Sequence, residues 1–207
     1  ARAARRSGTL AALSRTGRDV WLNTATSAAH SLLCTWGVVA AITALASDGD
    51  DGHGGGVGGA AALASVDLMG NGHAATFVLL AVSTGYFVFD WADYVAKGLH
   101  RGRPDIVVHH AVVLTCFLSA LVLRQCVPYV ASTLLCEVNS VSLHARSLLR
   151  PFAGVPRLVT AANTAALYVT LIVTRLVPHA LLVGRVWVDR AAFPHPAIWL
   201  LAQGGMV

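Results

Sequence analysis

The sequence predicts an all-α, polytopic membrane protein of about six transmembrane helices, on three observations. Apolar residues make up 56% of the 207 positions and charged residues only 12%, about half the share usual in soluble domains. The mean hydropathy is +0.64. The few charges leave uncharged gaps long enough for a helix to cross the hydrocarbon core of a bilayer, which takes roughly 20 residues. Together these exclude a disordered chain, a nucleic-acid-binding domain and an ordinary cytosolic enzyme.

Arg2, Arg5, Arg6, Arg15 and Arg18 concentrate the positive charge in a segment over residues 1–21, which reads as a cytoplasmic flank ahead of a membrane domain over 22–207. Residues 20–47 contain no Asp, Glu, Lys or Arg. That gap exceeds a signal-peptide core and no cleavage site comes after it, so it reads as the first span. Spans are expected near 22–46, 73–96, 105–124, 127–148, 157–183 and 195–207. The fourth carries Glu137 and is the least apolar, while Pro178 is expected to kink the fifth. The sixth is cut short at Val207, and a truncated C-terminus is expected. The acidic, glycine-rich stretch 47–59 reads as a flexible connection rather than a phosphate loop. Cys34, Cys116, Cys126 and Cys136 lack metal-site spacing and read as inert packing thiols.

The loop charges set an orientation. With the N-terminus in the cytoplasm, the inner segments hold the five N-terminal arginines, Lys97, Arg101, Arg103, Arg146, Arg150 and Arg157. The outer ones hold only Arg124, Arg185 and Arg190. This is a strong positive-inside bias. A glycosylation tag placed between Asp48 and Gly59 is therefore expected to be modified in a membrane preparation. Modification of a tag at Arg101–Arg103 instead would reverse the topology.

Polar side chains within the spans are costly and mark candidate sites. On helical wheels Ser83, Tyr86, Asp90, Asp93 and Lys97 share one face of the second span. Asp105, His109, Cys116 and Ser119 share a stripe of the third, with His110 pointing about 100° away from His109. In the fourth span Glu137, Ser140 and His144 oppose Asn139, Ser142 and Arg146, so this helix is expected to be enclosed by others. Thr160, Asn163, Thr164, Thr170 and Thr174 line the fifth, and Arg175 reads as a structural residue bonding a facing carbonyl or hydroxyl. Measured from the charged ends, Asp93, His109, His110, His144 and Asn163 lie within about 6–9 Å of one membrane surface, and His30 enters from the same side. Any one of these groups is most simply an interhelix bond or a snorkelling side chain. As a set, Asp90, Asp93, His109, His110, Glu137 and His144 are expected to face one interior cavity.

Four stretches carry a family resemblance: W-L-N-T-A-T-S-A-A-H-S (21–31), G-Y-F-V-F-D-W-A-D (85–93), D-I-V-V-H-H (105–110) and C-E-V-N-S-V-S-L-H-A-R (136–146). With R-L-V-P-H (175–179) and the closing run to Met206, they resemble the TLC-domain family in order and spacing over about residues 20–207. The E-V-N-S-x-x-L-H-x-R form is most similar to the branch of TLC domain-containing proteins one and two, and more distantly to ceramide synthases. The resemblance implies a barrel-like bundle around a lipid-sized interior cavity. It implies a role in phospholipid acyl-chain composition and membrane fluidity. Ceramide synthases carry an acidic pair after their paired histidines, whereas Asp90 and Asp93 precede them here.

Two functions compete. As a regulator, the protein binds membrane lipids and fatty acyl chains without chemistry of its own, with His30, Tyr86, Glu137, Asn139, His144 and Arg146 lining the cavity. As an acyl-CoA-dependent lipid acyltransferase, it uses His109 or His110 as general base or acyl acceptor, oriented by Asp90, Asp93 or Glu137, with Asn139 or Arg146 as oxyanion stabiliser. In that case acyl-CoA is a substrate and no other cofactor is implied. One bare histidine pair argues against a metal centre. A homodimer is the alternative to a monomer. The nearer resemblance implies the plasma membrane and the wider family the endoplasmic reticulum.

Overall fold

The computed structural model describes residues 13–48, 68–70, 72–152 and 154–206. Among these the regular structure is entirely helical. Arg2, Arg5, Arg6 and most of the acidic, glycine-rich stretch lie outside the described residues.

The first helix, α1, runs Arg15–Asp48, starting seven residues before the expected span, so that Arg15 and Arg18 ride its first turns. α2 (Ala74–Ala96) and α3 (Pro104–Leu123) match the charge gaps closely. Between them, Gly98 at φ 70 turns the chain into a single 3-10 turn over Leu99–Arg101, a left-handed conformation that a residue without Cβ adopts freely.

The fourth span departs from expectation. It is not one helix but a short α4 (Val127–Ser132), a 3-10 turn (Thr133–Leu135) and α5 (Cys136–Leu149). Arg124 and Cys126 break the chain before α4 with φ 51 and 57, which is costly for residues bearing a Cβ. Backbone bonds offset that cost: Cys126 N donates to the Met69 carbonyl at 2.8 Å and Val127 N to that of Gly70 at 3.2 Å. The broken segment is among the most buried parts of the chain, with Val127, Tyr129 and Leu134 at 0–2% exposure.

The fifth span also differs. α6 (Arg157–Thr170) leads through a wide π turn (Leu171–Leu176) into α7 (Val177–Val188). Pro178 lacks an N–H, and its ring crowds the carbonyl four residues back, on Thr174. Widening the preceding turn relieves that crowding, so the helix bulges where a kink was expected. A 3-10 turn (Asp189–Ala191) and α8 (Pro196–Met206) complete the chain.

The helices close a ring. α1 packs on α2 and α5; α2 on α3; α3 on α8; α8 on α7; and α6 with its π turn on α5. The segment from α4 to its 3-10 turn fills one end of that ring, against α1, α2, α3 and α7. Cys34, Val38, Leu80, Phe87, Phe117, Val127 and Leu134 form the main apolar core. Tyr129 anchors a smaller one with Leu182, Val186 and Phe193, its hydroxyl donating to Asp189, which also accepts from Arg185 Nε at 2.8 Å.

The outer surface is apolar. Leu33, Trp36, Val122, Leu158, Leu181 and Val188 are all more than 65% exposed, as expected where the solvent is lipid. Three helices among the described residues have the length and apolarity to cross a membrane: Ala74–Ala96, Pro104–Leu123 and the composite Arg157–Ala191. The architecture is that of an all-α membrane bundle.

Candidate functional site

The site is a polar seam built on α1. Asn23, Ser27, His30, Ser31 and Cys34 recur at spacings of three to four residues and so occupy one helical face. α2 runs antiparallel to it and presents Asp90, Tyr86 and Ser83 in matching order. Asn23 Nδ2 donates to Asp90 Oδ1 at 2.8 Å. Tyr86 donates its hydroxyl to Ser27 Oγ at 2.9 Å, and Ser27 passes a bond on to the Asn23 carbonyl at 3.0 Å. Cys34 Sγ lies 3.1 Å from Ser83 Oγ and 3.2 Å from His30 Nε2. The His30 ring stacks on Tyr86, with centroids 3.8 Å apart and planes 11° from parallel.

Two further helices join the seam through ionisable groups. From α3, His110 Nε2 reaches Asp90 Oδ2 at 3.1 Å. Its other nitrogen, Nδ1, lies 2.9 Å from the Ile106 carbonyl and therefore carries a proton. Asp90 is thus the junction of α1, α2 and α3, with both carboxylate oxygens engaged. From α5, Glu137 Oε2 accepts from Ser31 Oγ at 2.5 Å. His144, further along the same face of α5 as Glu137, is half-buried and lies within electrostatic reach of Asp90 and His30.

The structure thus gathers His30, Tyr86, Asp90, His110, Glu137 and His144 around one interior seam. It places other expected residues elsewhere. Asp93 pairs with Lys97 at 2.7 Å toward the end of α2. Asn139 turns to α6 and donates to the Leu167 carbonyl at 2.9 Å and to Thr170 Oγ1 at 3.0 Å. Asn163 similarly ties α6 back to the Ser142 carbonyl at 3.0 Å. Arg146 is exposed. His109 is exposed as well, its ring centroid 5.8 Å from that of His110. The 100° between neighbours on a helix sends only one of the pair into the seam.

One expectation is corrected. Arg175 bonds no facing carbonyl or hydroxyl; among the described residues its guanidinium makes no hydrogen bond or ion pair. Sequence reading also missed Asn23, Ser27 and Ser31 as partners, although their stripe with His30 and Cys34 was there to be counted.

A partly open apolar pocket of about 70 Å³ lies between α3, α4 and α8, walled by Val113, Phe117, Val130, Ile198 and Leu201. Its volume is that of about two water molecules in the liquid. No three His, Cys, Asp or Glu side chains among the described residues gather closely enough to hold a metal ion.

Known proteins supply the context for this seam. The TLC domain family model matches residues 21–206. TLC domain-containing protein 2 of Homo sapiens is 32% identical over 161 residues, 76% of this chain and 54% of that protein. The Danio rerio protein of the same name is 36% identical over 84 residues, 41% of this chain and 34% of that protein. TLC domain-containing protein 1 of Homo sapiens is 30% identical over 106 residues, 51% and 43% of the two chains. The chain spans about half the length of the human TLC domain-containing protein 2 that it matches. No solved structure matches it. With nearly its whole length matched by the family model, its ring of apolar helices and its internal polar seam, the chain belongs to the TLC domain family, a family of membrane proteins.

Proposed function

We propose that the protein is a multi-pass membrane protein of six spans that binds membrane lipids through their acyl chains and regulates phospholipid acyl-chain composition, and with it membrane fluidity. The plasma membrane is the compartment this reading assigns. One observation carries it: both His110 nitrogens and both Asp90 oxygens are spent inside the protein. A general base must offer a free nitrogen to the proton it abstracts. The saturated pair instead acts as a structural clasp between three helices, while the apolar pocket beside α3 has room for a short part of an acyl chain. Family membership supports a lipid-related role.

Acyl-CoA-dependent lipid acyltransfer is the second reading, favoured by His109, which is exposed and adjacent to the clasp. There His109 would be the base and His110 would position it.

Native mass spectrometry of the purified protein tests the first reading. Retained phospholipid or fatty acyl species, enriched over the bulk lipid extract, are expected. A lipid profile identical to the surrounding membrane would remove the reading.

A further inference from the structure

The hairpin of α5 and α6 carries charge that nothing in it offsets. Between Glu137 and Asp189 the sequence has no Asp or Glu, yet Arg146 and Arg150 stand at the end of α5 and Arg157 at the start of α6. The two helices run antiparallel, in a register fixed by Asn139 on the Leu167 carbonyl and Asn163 on that of Ser142. That register brings the three arginines to one end of the hairpin. Trp21 Nε1, near the start of α1, donates to the Leu148 carbonyl at 3.1 Å, and Asn23 meets Asp90 near the end of α2. The same end of the bundle therefore holds Lys97 and Arg103. Those two are matched, by Asp93 and by Asp105, each at 2.7 Å. Arg146, Arg150 and Arg157 are exposed and make no hydrogen bond or ion pair among the described residues.

A groove begins at one of these arginines. Arg157, Thr160, Ala161, Thr164, Ala165 and Tyr168 line an open trough of about 600 Å³ along α6, a helix with no buried residue. The small side chains of Ala161 and Ala165 leave room between the longer ones. Thr164 turns its hydroxyl back to the Thr160 carbonyl at 2.8 Å, while the Thr160 hydroxyl makes no bond among the described residues. From Arg157 to Tyr168 the groove runs about 16 Å at 1.5 Å per residue. One leaflet of the hydrocarbon layer is about 15 Å deep. A cation cluster at the surface, an unused hydroxyl one turn deeper and a trough one leaflet long follow the order of phosphate, ester and chain in a phospholipid.

We propose that Arg146, Arg150 and Arg157 hold the head group of an anionic phospholipid, one of whose acyl chains lies in the α6 groove. The proposal rests on the lipid-binding reading above and deepens it, naming the lipid class and a surface apart from the pocket beside α3. Guanidinium groups match phosphate oxygens through paired bonds. Arg157 opens the apolar helix Arg157–Ala191, which puts it at the level of the head groups. A zwitterionic lipid brings a cation of its own into a cluster that already holds three, whereas a lipid of net negative charge does not. The groove selects a membrane lipid over a soluble phosphate, because only the lipid also covers the trough.

The test is native mass spectrometry of the purified protein with equimolar phosphatidylserine and phosphatidylcholine of identical chains. Phosphatidylserine is expected to be retained at least about tenfold more strongly, given the contribution of each cation near a membrane surface. Arg146→Gln, Arg150→Gln and Arg157→Gln together should remove that preference. Arg15→Gln, Arg18→Gln and Arg101→Gln together delete the same charge and should keep most of it. Ala161→Leu with Ala165→Leu fills the groove without changing charge and should lower phosphatidylserine retention. Equal retention of the two lipids by the unmodified protein would overturn the proposal, whether or not the variants fold. So would a preference that survives the first triple change, one that falls as far in the second, or one indifferent to the filled groove. Displacement of phosphatidylserine by an equal concentration of palmitoyl-CoA would reassign the arginines to a soluble thioester and overturn the choice of a phospholipid. If neither lipid is retained, the lipid-binding reading falls and this site with it. If both are retained equally, that reading stands and only the arginine site fails.

Discussion

Asp90→Ala is expected to destabilise the protein by roughly 3 kcal/mol, at the low end of the cost of removing one partner from a buried charged pair. Asp90 is 4% exposed, accepts from Asn23 on α1 and faces His110 on α3. Its loss leaves a buried amide and a buried imidazole without their acceptor. A single interhelix bond in a membrane is worth only about 0.6 kcal/mol on average, so a loss of that size would mean the two bonds act independently and weakly. Asp90→Asn should fall between, since one amide oxygen can serve Asn23 or His110 but not both. The coupling is checked by a double-mutant cycle measured as reversible unfolding in detergent. Asp90→Ala with His110→Ala should cost less than the sum of the two single changes, because each removes the same interaction. Additive costs would show that the clasp does not hold the helices together. Equivalent changes at Asp93 or Arg146 should cost well under about 1 kcal/mol. Asp93 is engaged only with Lys97 near the helix end, and Arg146 is exposed.

Purified protein supplied with labelled acyl-CoA and either lysophospholipid or a sphingoid base is expected to form no product, and neither His109→Ala nor His110→Ala should change that. Instead, His110→Ala should lower stability together with Asp90→Ala, and His109→Ala should alter which lipids remain bound. His110 already holds the Ile106 carbonyl and Asp90, and Glu137 is held by Ser31. Among the thiols, Cys34 has the His30 ring at 3.2 Å but is 2% exposed and so is closed to a substrate, Cys126 is buried, and Cys116 faces the Leu201 carbonyl at 3.9 Å. An active nucleophile needs both a base or cation at hand and access to its substrate. If the enzyme reading is right, the outcome is opposite and large. A general base contributes about 10²–10⁴-fold, so clear acyl transfer in the unmodified protein should vanish in His109→Ala. Such a result would make the seam a catalytic support rather than a clasp.

Helix existence and type were legible because they depend on short-range pattern. Uncharged gaps between Asp19 and Asp48, or between Asp105 and Arg124, are statements about transfer from water to lipid, and that free energy is a property of the segment itself. The same holds for the one-face stripes, since 100° per residue fixes which side chains of one helix point together. Thus Asp90 with Tyr86 and Ser83, and the divergence of His109 from His110, were available before any packing was known.

An all-α membrane chain whose helices each carry a polar face is therefore a local property, written in composition and periodicity. Which faces meet is not local. A wheel gives angles within a helix but not the rotation of that helix against its neighbours, so it could not choose His110 over His109 as the partner of Asp90. Nor could it turn Asn139 to α6 while Glu137 meets Ser31 on α1. Local backbone chemistry added two surprises. Left-handed Cys126 and its neighbour Val127 are held by bonds to Met69 and Gly70, far away in sequence, and with left-handed Arg124 they split the fourth span. A π turn precedes Pro178, because a missing N–H and a crowded carbonyl are resolved by widening the helix that carries Arg175. That guanidinium finds no partner among the described residues. No property of the apolar run around it could have told that its charge is left unmatched, because pairing depends on what the other helices bring to the same depth.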